Sequence, residues 1–395
     1  SLKAGLKSLS AALVVLLLLS LFVGTALAES GVSRIGGADR YETSAFVALD
    51  AFKSSHEVLI ARGDAEGQFA DALAASVLAG ALEAPILLTR PGSLPESVAE
   101  AIKDLGAEEA IVLGGEGAVS GAVVKELEDL GLEVKRVSGK DRYETAVKIA
   151  EETAGLTDTA DFAFIVNGAA TADSLAAGAA AFVNVAPILQ VRKDSIPAVT
   201  EKAISDLEVS RLYIVGGEGV VSKAVAEDLE DLADVEERLS GADRYGTSVS
   251  VAEEMFAGED CLVLTAGHDQ NLADAVSASV FGLPILYTRT GSIPEAVEDY
   301  LDSVITASSE IRIIGGKGAV SGDVWEDVVL KIDRAKDIYS EDLEDVEAAV
   351  EAINNFNDSV QVDAADDKQA REDVVLEALE KLVEDLEVDL AVILP

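Results

Sequence analysis

Asp39-Arg40-Tyr41 places a carboxylate, a guanidinium and a phenol side by side, and the triplet recurs as Asp141-Arg142-Tyr143 and Asp243-Arg244-Tyr245. A guanidinium offers a planar fork of donors to carboxylate or phosphate oxygens, so Arg40, Arg142 and Arg244 could face an anionic polymer. Alternatively, each Arg pairs with a carboxylate at a boundary between structural units while Asp39, Asp141 and Asp243 cap helices. The second reading is favoured, because an Asp beside the Arg already supplies an anion. A second set of carboxylates, Asp71, Asp173 and Asp274, follows Ala in Ala-Asp pairs where an apolar strand gives way to a helix. Open parallel sheets take ligands at the carboxyl ends of their strands, so these three are crevice candidates. Helix capping accounts for them equally well.

Other chemistries find little support. Gly114-Gly115-Glu-Gly117 could cradle a phosphate between a strand and a helix, but Ser120 stands where a dinucleotide fingerprint needs its third Gly. Glu116 and Glu218 would also repel phosphate, so a tight turn is the better reading. There is no nucleophile elbow, and no Cys stands beside a His, so no enzyme activity is expected. His56 and His268 do not make a zinc-ligand spacing. Cys261 in Cys-Leu-Val-Leu reads as part of a buried strand.

The triplets stand 102 residues apart, and four other landmarks keep nearly the same step. They begin at Ala70-Asp71, Ala84-Pro85, Ser93-Leu-Pro95 and Gly114-Gly115 in the first copy. Five landmarks in one order, three times over, mean one structural unit copied three times. This set resembles the cell wall binding repeat 2 family across roughly residues 33 to 335. The resemblance implies three modules packed about a pseudo-threefold axis, non-covalent attachment to the cell envelope, and a wall polymer or envelope glycan as partner.

Each copy needs elements that position these groups. Asp39 with Glu42, and Asp141 with Glu144, have the spacing of a reciprocal helix-start cap, which Gly246 breaks in the third copy. Strands are expected over 57–61, 84–88 and 110–113, and helices over 43–52, 70–80, 95–105 and 120–130. The 70–80 helix is Ala, Leu, Val and Ser almost throughout, so it should be buried on most sides. Ser120 is placed to cap the last helix. Apolar strands without alternation, separated by helices, argue for parallel sheets covered on both faces. The fold class is therefore α/β, with three tandem Rossmann- or flavodoxin-like modules and a small acidic, mostly helical C-terminal segment.

The ends add further expectations. Lys3 and Lys7, an apolar run from Ala11 to Val23, and Ala26-Leu-Ala28 read as a secretory signal peptide. The expected division is a signal peptide over 1–28, modules over 29–134, 135–236 and 237–335, and an acidic segment over 336–395. That segment holds 19 acidic and four basic residues, with amphipathic helical stripes over 343–353 and 374–386. It could serve assembly into a homo-oligomer, making the chain a lattice or filament subunit. The net charge of −43 excludes a nucleic-acid partner, which needs a clustered basic surface. It also suits a saline or cation-rich setting, where a divalent cation such as calcium could bridge the chain to an anionic ligand. No membrane span is expected after signal cleavage, and no cofactor is implied.

Overall fold

The computed structural model describes residues 31–64, 70–268 and 271–340. The expected signal peptide and the amphipathic stripes of the acidic segment lie outside these residues. The chain divides into two compact units, Ser1–Val329 and Leu330–Pro395. In the second unit the described residues, 330–340, are helical.

The described residues of the first unit form twelve strands: β1 Val32–Ile35, β2 Glu57–Arg62, β3 Ile86–Thr89, β4 Glu109–Leu113, β5 Glu133–Val137 and β6 Phe162–Asn167, then β7 Ile188–Val191, β8 Arg211–Val215, β9 Asp234–Leu239, β10 Leu262–Ala266, β11 Ile285–Thr288 and β12 Ile311–Ile314. They form three four-stranded sheets, ordered β3-β2-β4-β5, β7-β6-β8-β9 and β11-β10-β12-β1. Every pairing within them is parallel. Each sheet thus has the doubly wound order with its first strand inside, and the inner strands are buried along their length.

The sheets are offset from the sequence copies by one strand. The strand that leads into each Asp-Arg-Tyr triplet completes the sheet of the preceding copy. Thus β5 lies beside β4 with Ala110 opposite Val134, and β9 lies beside β8. These strands span the 134/135 and 236/237 limits expected from sequence. The counterpart in front of the first triplet is β1, and it completes the third sheet, with Val32 opposite Ile311. The chain therefore closes into a ring of three modules.

Local chemistry sets the helix ends. Pro95, Pro197 and Pro294 each precede a helix in extended conformation, with Glu96–Leu105, Ala198–Asp206 and Glu295–Val304 following. A missing amide costs nothing there, because the first amides of a helix have no partner within it. The helix expected over 70–80 is instead two pieces, Ala70–Leu73 and Ala75–Leu82.

Ala75–Leu82 packs against its counterparts Gly178–Asn184 and the 3₁₀ turn Ser279–Phe281 at the centre of the ring. Three equivalent positions meet on the axis. Ser76 Oγ lies 3.0 Å from Ser279 Oγ, and a Cβ on Gly178 would stand 3.2 Å from both side chains. A Cβ on Gly80 would come within 2.1 Å of the Phe182 carbonyl oxygen. The run of small residues is thus what lets three backbones approach one axis.

Candidate functional site

The triplet Asp residues are helix caps. Asp39 Oδ1 accepts from the amides of Tyr41 and Glu42 at 3.0 and 2.9 Å, at the start of helix Arg40–Ala51. Asp141 Oδ1 accepts from Glu144, and Asp243 Oδ1 from Tyr245 and Gly246. The reciprocal half reaches one residue further back than expected. Glu42 accepts from the amide of Ala38, and Glu144 from that of Lys140. Ser120 sits at its cap position without making a cap bond, whereas Ser222 Oγ accepts from Val225 N at 3.4 Å.

The triplet Arg residues turn inward. Arg40 Nη1 donates to the Gly63 carbonyl at 2.9 Å and Arg244 Nη1 to that of Gly267 at 2.7 Å, with Arg142 bonded likewise to Gly168. Each carbonyl lies just past the first inner strand of its own module. Their charges act on the Ala-Asp carboxylates of the preceding module in the ring: Arg142 on Asp71, Arg244 on Asp173 and Arg40 on Asp274. The sequence reading offered two partners for these guanidiniums, an anionic polymer or a carboxylate at a boundary. Their donors reach main-chain carbonyls, and their charge acts on the boundary carboxylates.

Burial pushes all three carboxyls up from the usual range. In Asp71 the Thr145 hydroxyl, Arg142 and Arg62 oppose that rise, and in Asp173 Thr247 and Arg244 oppose it. Asp274 is the most buried, and its pKa is pushed up to about 7 despite Arg40. The carboxylates also lie against the Gly-Gly turns. A Cβ on Gly114 would lie 2.3 Å from Asp71 Oδ2, and one on Gly315 2.8 Å from Asp274 Oδ2. Both glycines hold positive φ, at 93° and 113°.

Two further sets of arginines recur at equivalent places in the three copies, and sequence reading singled out neither. Arg34, Arg136 and Arg238 open the three copies and clamp the turns. Arg34 Nη1 donates to the carbonyls of Gly315 and Val320, both at 2.9 Å. Arg136 holds those of Gly114 and Val119, and Arg238 those of Gly216 and Val221. Arg90, Arg192 and Arg289 follow the outer strands β3, β7 and β11. Their guanidiniums lie over the rings of Tyr41, Tyr143 and Tyr245 at 4.5, 4.5 and 5.1 Å. All three arginines are exposed, and Arg90 also pairs with Asp39 Oδ2 at 3.3 Å. The available signal was an Arg closing the second strand of every copy.

Cys261 precedes β10 and is partly exposed, so it is not the buried strand residue expected. Glu259, Asp260 and Cys261 bring their ligand atoms within 4.8 Å of one another. Asp260 Oδ2 already accepts from the hydroxyls of Thr306 and Ser309. No helix among the described residues is long and apolar enough to cross a membrane.

Three parallel α/β modules closed about a pseudo-threefold axis, with the same polar contacts repeated three times, define a repeat-built α/β fold. The profile of the cell wall binding domain 2 (CWB2) family matches residues 34–124, 136–226 and 238–325, and the chain belongs to that family. Curated relatives include the N-acetylmuramoyl-L-alanine amidase LytC of Bacillus subtilis (strain 168), 30% identical over 308 residues, 78% of this chain and 60% of the relative. The amidase enhancer of the same organism is 26% identical over 294 residues, 74% of this chain and 39% of the relative. The chain therefore spans less than two thirds of either relative. Among solved structures, Cwp6 from Clostridium difficile superposes with a TM-score of 0.70 at 26% identity, covering 77% of this chain and 48% of that one. Cwp8 from the same organism gives 0.68 at 29% identity, covering 80% and 54%.

Proposed function

We propose that this chain is a secreted, non-enzymatic surface protein held non-covalently to the cell envelope, with a wall polymer or envelope glycan bound at the carboxyl ends of the three sheets. The observation that carries the reading is the exposed Arg90, Arg192 and Arg289, each stacked on a triplet Tyr at the carboxyl end of its sheet. A guanidinium held over a ring presents its donors outward in a fixed plane, which suits carboxylate, phosphate or sugar hydroxyl groups. Nearby loops differ between copies, as Arg62-Gly63-Asp64, Asn167-Gly168-Ala169 and Ala266-Gly267-His268. Varied loops on a constant frame suit recognition better than one shared reaction step. The stretch shared with the amidase is about as long as the three repeats, so the activity in that relative's name is not carried to this chain.

A net charge of −43 opposes an anionic polymer, so divalent cations or high salt must screen the approach. The test is retention of the full chain on stripped envelopes of its own host, across salt and with calcium or a chelator. Retention that falls when the three exposed arginines become Ala supports the reading. Absence of retention under every salt and calcium condition overturns it.

A further inference from the structure

The three sheet ends are built alike but charged differently. The pairs Arg62–Thr89, Asn167–Val191 and Ala266–Thr288 close the equivalent ladders of the three sheets. A Gly follows the first residue of each pair, and Asp64, Ala169 and His268 come next. The loops after the outer strands begin Arg90-Pro91-Gly92, Arg192-Lys193-Asp194 and Arg289-Thr290-Gly291. The turns after the third strands carry Glu116, Glu218 and Lys317 between glycines. At these positions Asp64 and Glu116 offset Arg62 and Arg90 in the first copy, and Asp194 and Glu218 offset Arg192 and Lys193 in the second. Arg289 and Lys317 of the third copy have no acid to offset them there.

Ion pairing sharpens the contrast. In the first copy Arg62 is held by Asp64, and Arg90 by Asp39 at 3.3 Å. Among the described residues neither Arg289 nor Lys317 makes an ion pair, and both are exposed. Asp323, in the first turn of the next helix, pairs with neither. Both groups stand on fixed backbone. Arg289 rests over the Tyr245 ring at 5.1 Å. The Gly316 carbonyl accepts from the amides of Ala319 and Val320 at 2.9 and 3.1 Å, and Ser321 N donates to the Thr290 carbonyl at 2.7 Å. The last bond ties the Lys317 turn to the Arg289 loop.

We propose that the carboxyl end of the third sheet is the principal anion-binding subsite of the chain, where Arg289 and Lys317 take the phosphate or carboxylate groups of a wall polymer. The proposal rests on the envelope-binding reading and deepens it. A planar guanidinium fixes the orientation of an oxyanion, and a flexible ammonium adds a second charge without a set direction. It also shows how a chain of net charge −43 holds an anionic polymer. Salt screens the distant acids beyond about 10 Å at 0.1 M, whereas direct contacts with the two cations persist. The charge-balanced first and second ends suit the hydroxyl groups of the same polymer.

The test uses the full chain with single changes. Lys317→Glu gives the third turn the residue of the first two. Lys103→Glu, at an exposed position in helix Glu96–Leu105, makes the same change in net charge away from the sheet ends. Binding is read on stripped host envelopes and, separately, by titration calorimetry with soluble polyphosphate and with polyglutamate. The wild type should bind at least one polyanion, and which one distinguishes phosphate from carboxylate. Lys317→Glu should weaken binding to that probe and to envelopes about tenfold, because a contact is lost and a like charge takes its place. Lys103→Glu should match the wild type. A wild type that binds neither polyanion, an unchanged Lys317→Glu, or an equal loss in Lys103→Glu overturns the proposal. Envelope retention that Lys317→Glu leaves intact keeps the envelope reading and rejects this subsite. Polyanion binding that Lys317→Glu removes, without any envelope retention, supports the subsite and rejects the envelope reading.

Discussion

Arg40 and Asp274 are 234 positions apart in sequence, yet Arg40 is the charge that offsets Asp274 across the junction of the third and first modules. The carboxyl is almost fully buried, and burial outweighs the Arg in setting its affinity for a proton. Equivalent pairs, Arg142 with Asp71 and Arg244 with Asp173, also have a Thr hydroxyl on the carboxylate. One repeated design thus yields three junctions of unequal electrostatic character.

Asp274 should make stability fall as pH rises. Its folded pKa, about 7, stands above the unfolded value of 3.8. The folded state therefore binds the extra proton between those values, and the contribution present below pH 4 is lost as pH climbs through 7. Asp274→Asn keeps the shape and the neutral state at every pH. Urea unfolding of both proteins at pH 4.5 and pH 8 should show the variant gaining on the wild type by about 3 kcal/mol between the two. A difference that stays constant with pH would show that Asp274 titrates normally.

Arg40→Ala removes both the donor to the Gly63 carbonyl and the charge beside Asp274. At pH 8 it should destabilise by about 2 kcal/mol, below the usual loss for a broken buried pair because Asp274 can take up a proton. The loss should shrink in an Asp274→Asn background. Denaturant midpoints of the four proteins test this, with a coupling of at least about 0.5 kcal/mol expected.

Gly114 and Gly115 are adjacent and should respond oppositely to Ala. Gly114 has φ of 93°, and a Cβ there would strike Asp71 Oδ2. Strain and displacement of a buried carboxylate together should cost about 2 kcal/mol or more. A Cβ on Gly115 meets nothing within 4 Å, so Gly115→Ala should stay within about 0.5 kcal/mol of the wild type. Thermal melting of the two variants side by side decides it, and equal melting points would contradict the role given to the turn.

Much of this architecture was legible in the chain. Strands such as Val58-Leu-Ile-Ala61 and Ala110-Ile-Val-Leu113 are unbroken apolar runs because both faces of their sheets are covered. The edge strands escaped notice for the converse reason. Glu133–Val137 and Asp234–Leu239 alternate exposed and partly covered residues and carry charges, so no apolar run marks them. Without those strands the offset between sheet and sequence copy, and so the return of β1 to the third sheet, cannot be read. The cap role of Asp39 was readable because capping is local. The partner of Arg40 was not, since it depends on closing a ring across more than two hundred residues.

Arg90, Arg192 and Arg289 provide the direct functional prediction. Their guanidiniums are exposed and rest on tyrosine rings, so removing them should leave the cores of the modules intact. Each stacked pair contributes about 0.5–1 kcal/mol at an exposed site, so single Ala variants should melt within a few degrees of the wild type. Retention on host envelopes should behave differently. Each single change should weaken it several-fold and the triple change should abolish it, while Arg→Lys should recover little, because an ammonium cannot present the planar fork. Chelator should reproduce the loss if calcium bridges the acidic chain to an anionic polymer, and should have no effect if the ligand is a neutral glycan held by the guanidinium plane. Triple Ala variants retained as well as the wild type would move binding away from the exposed arginines.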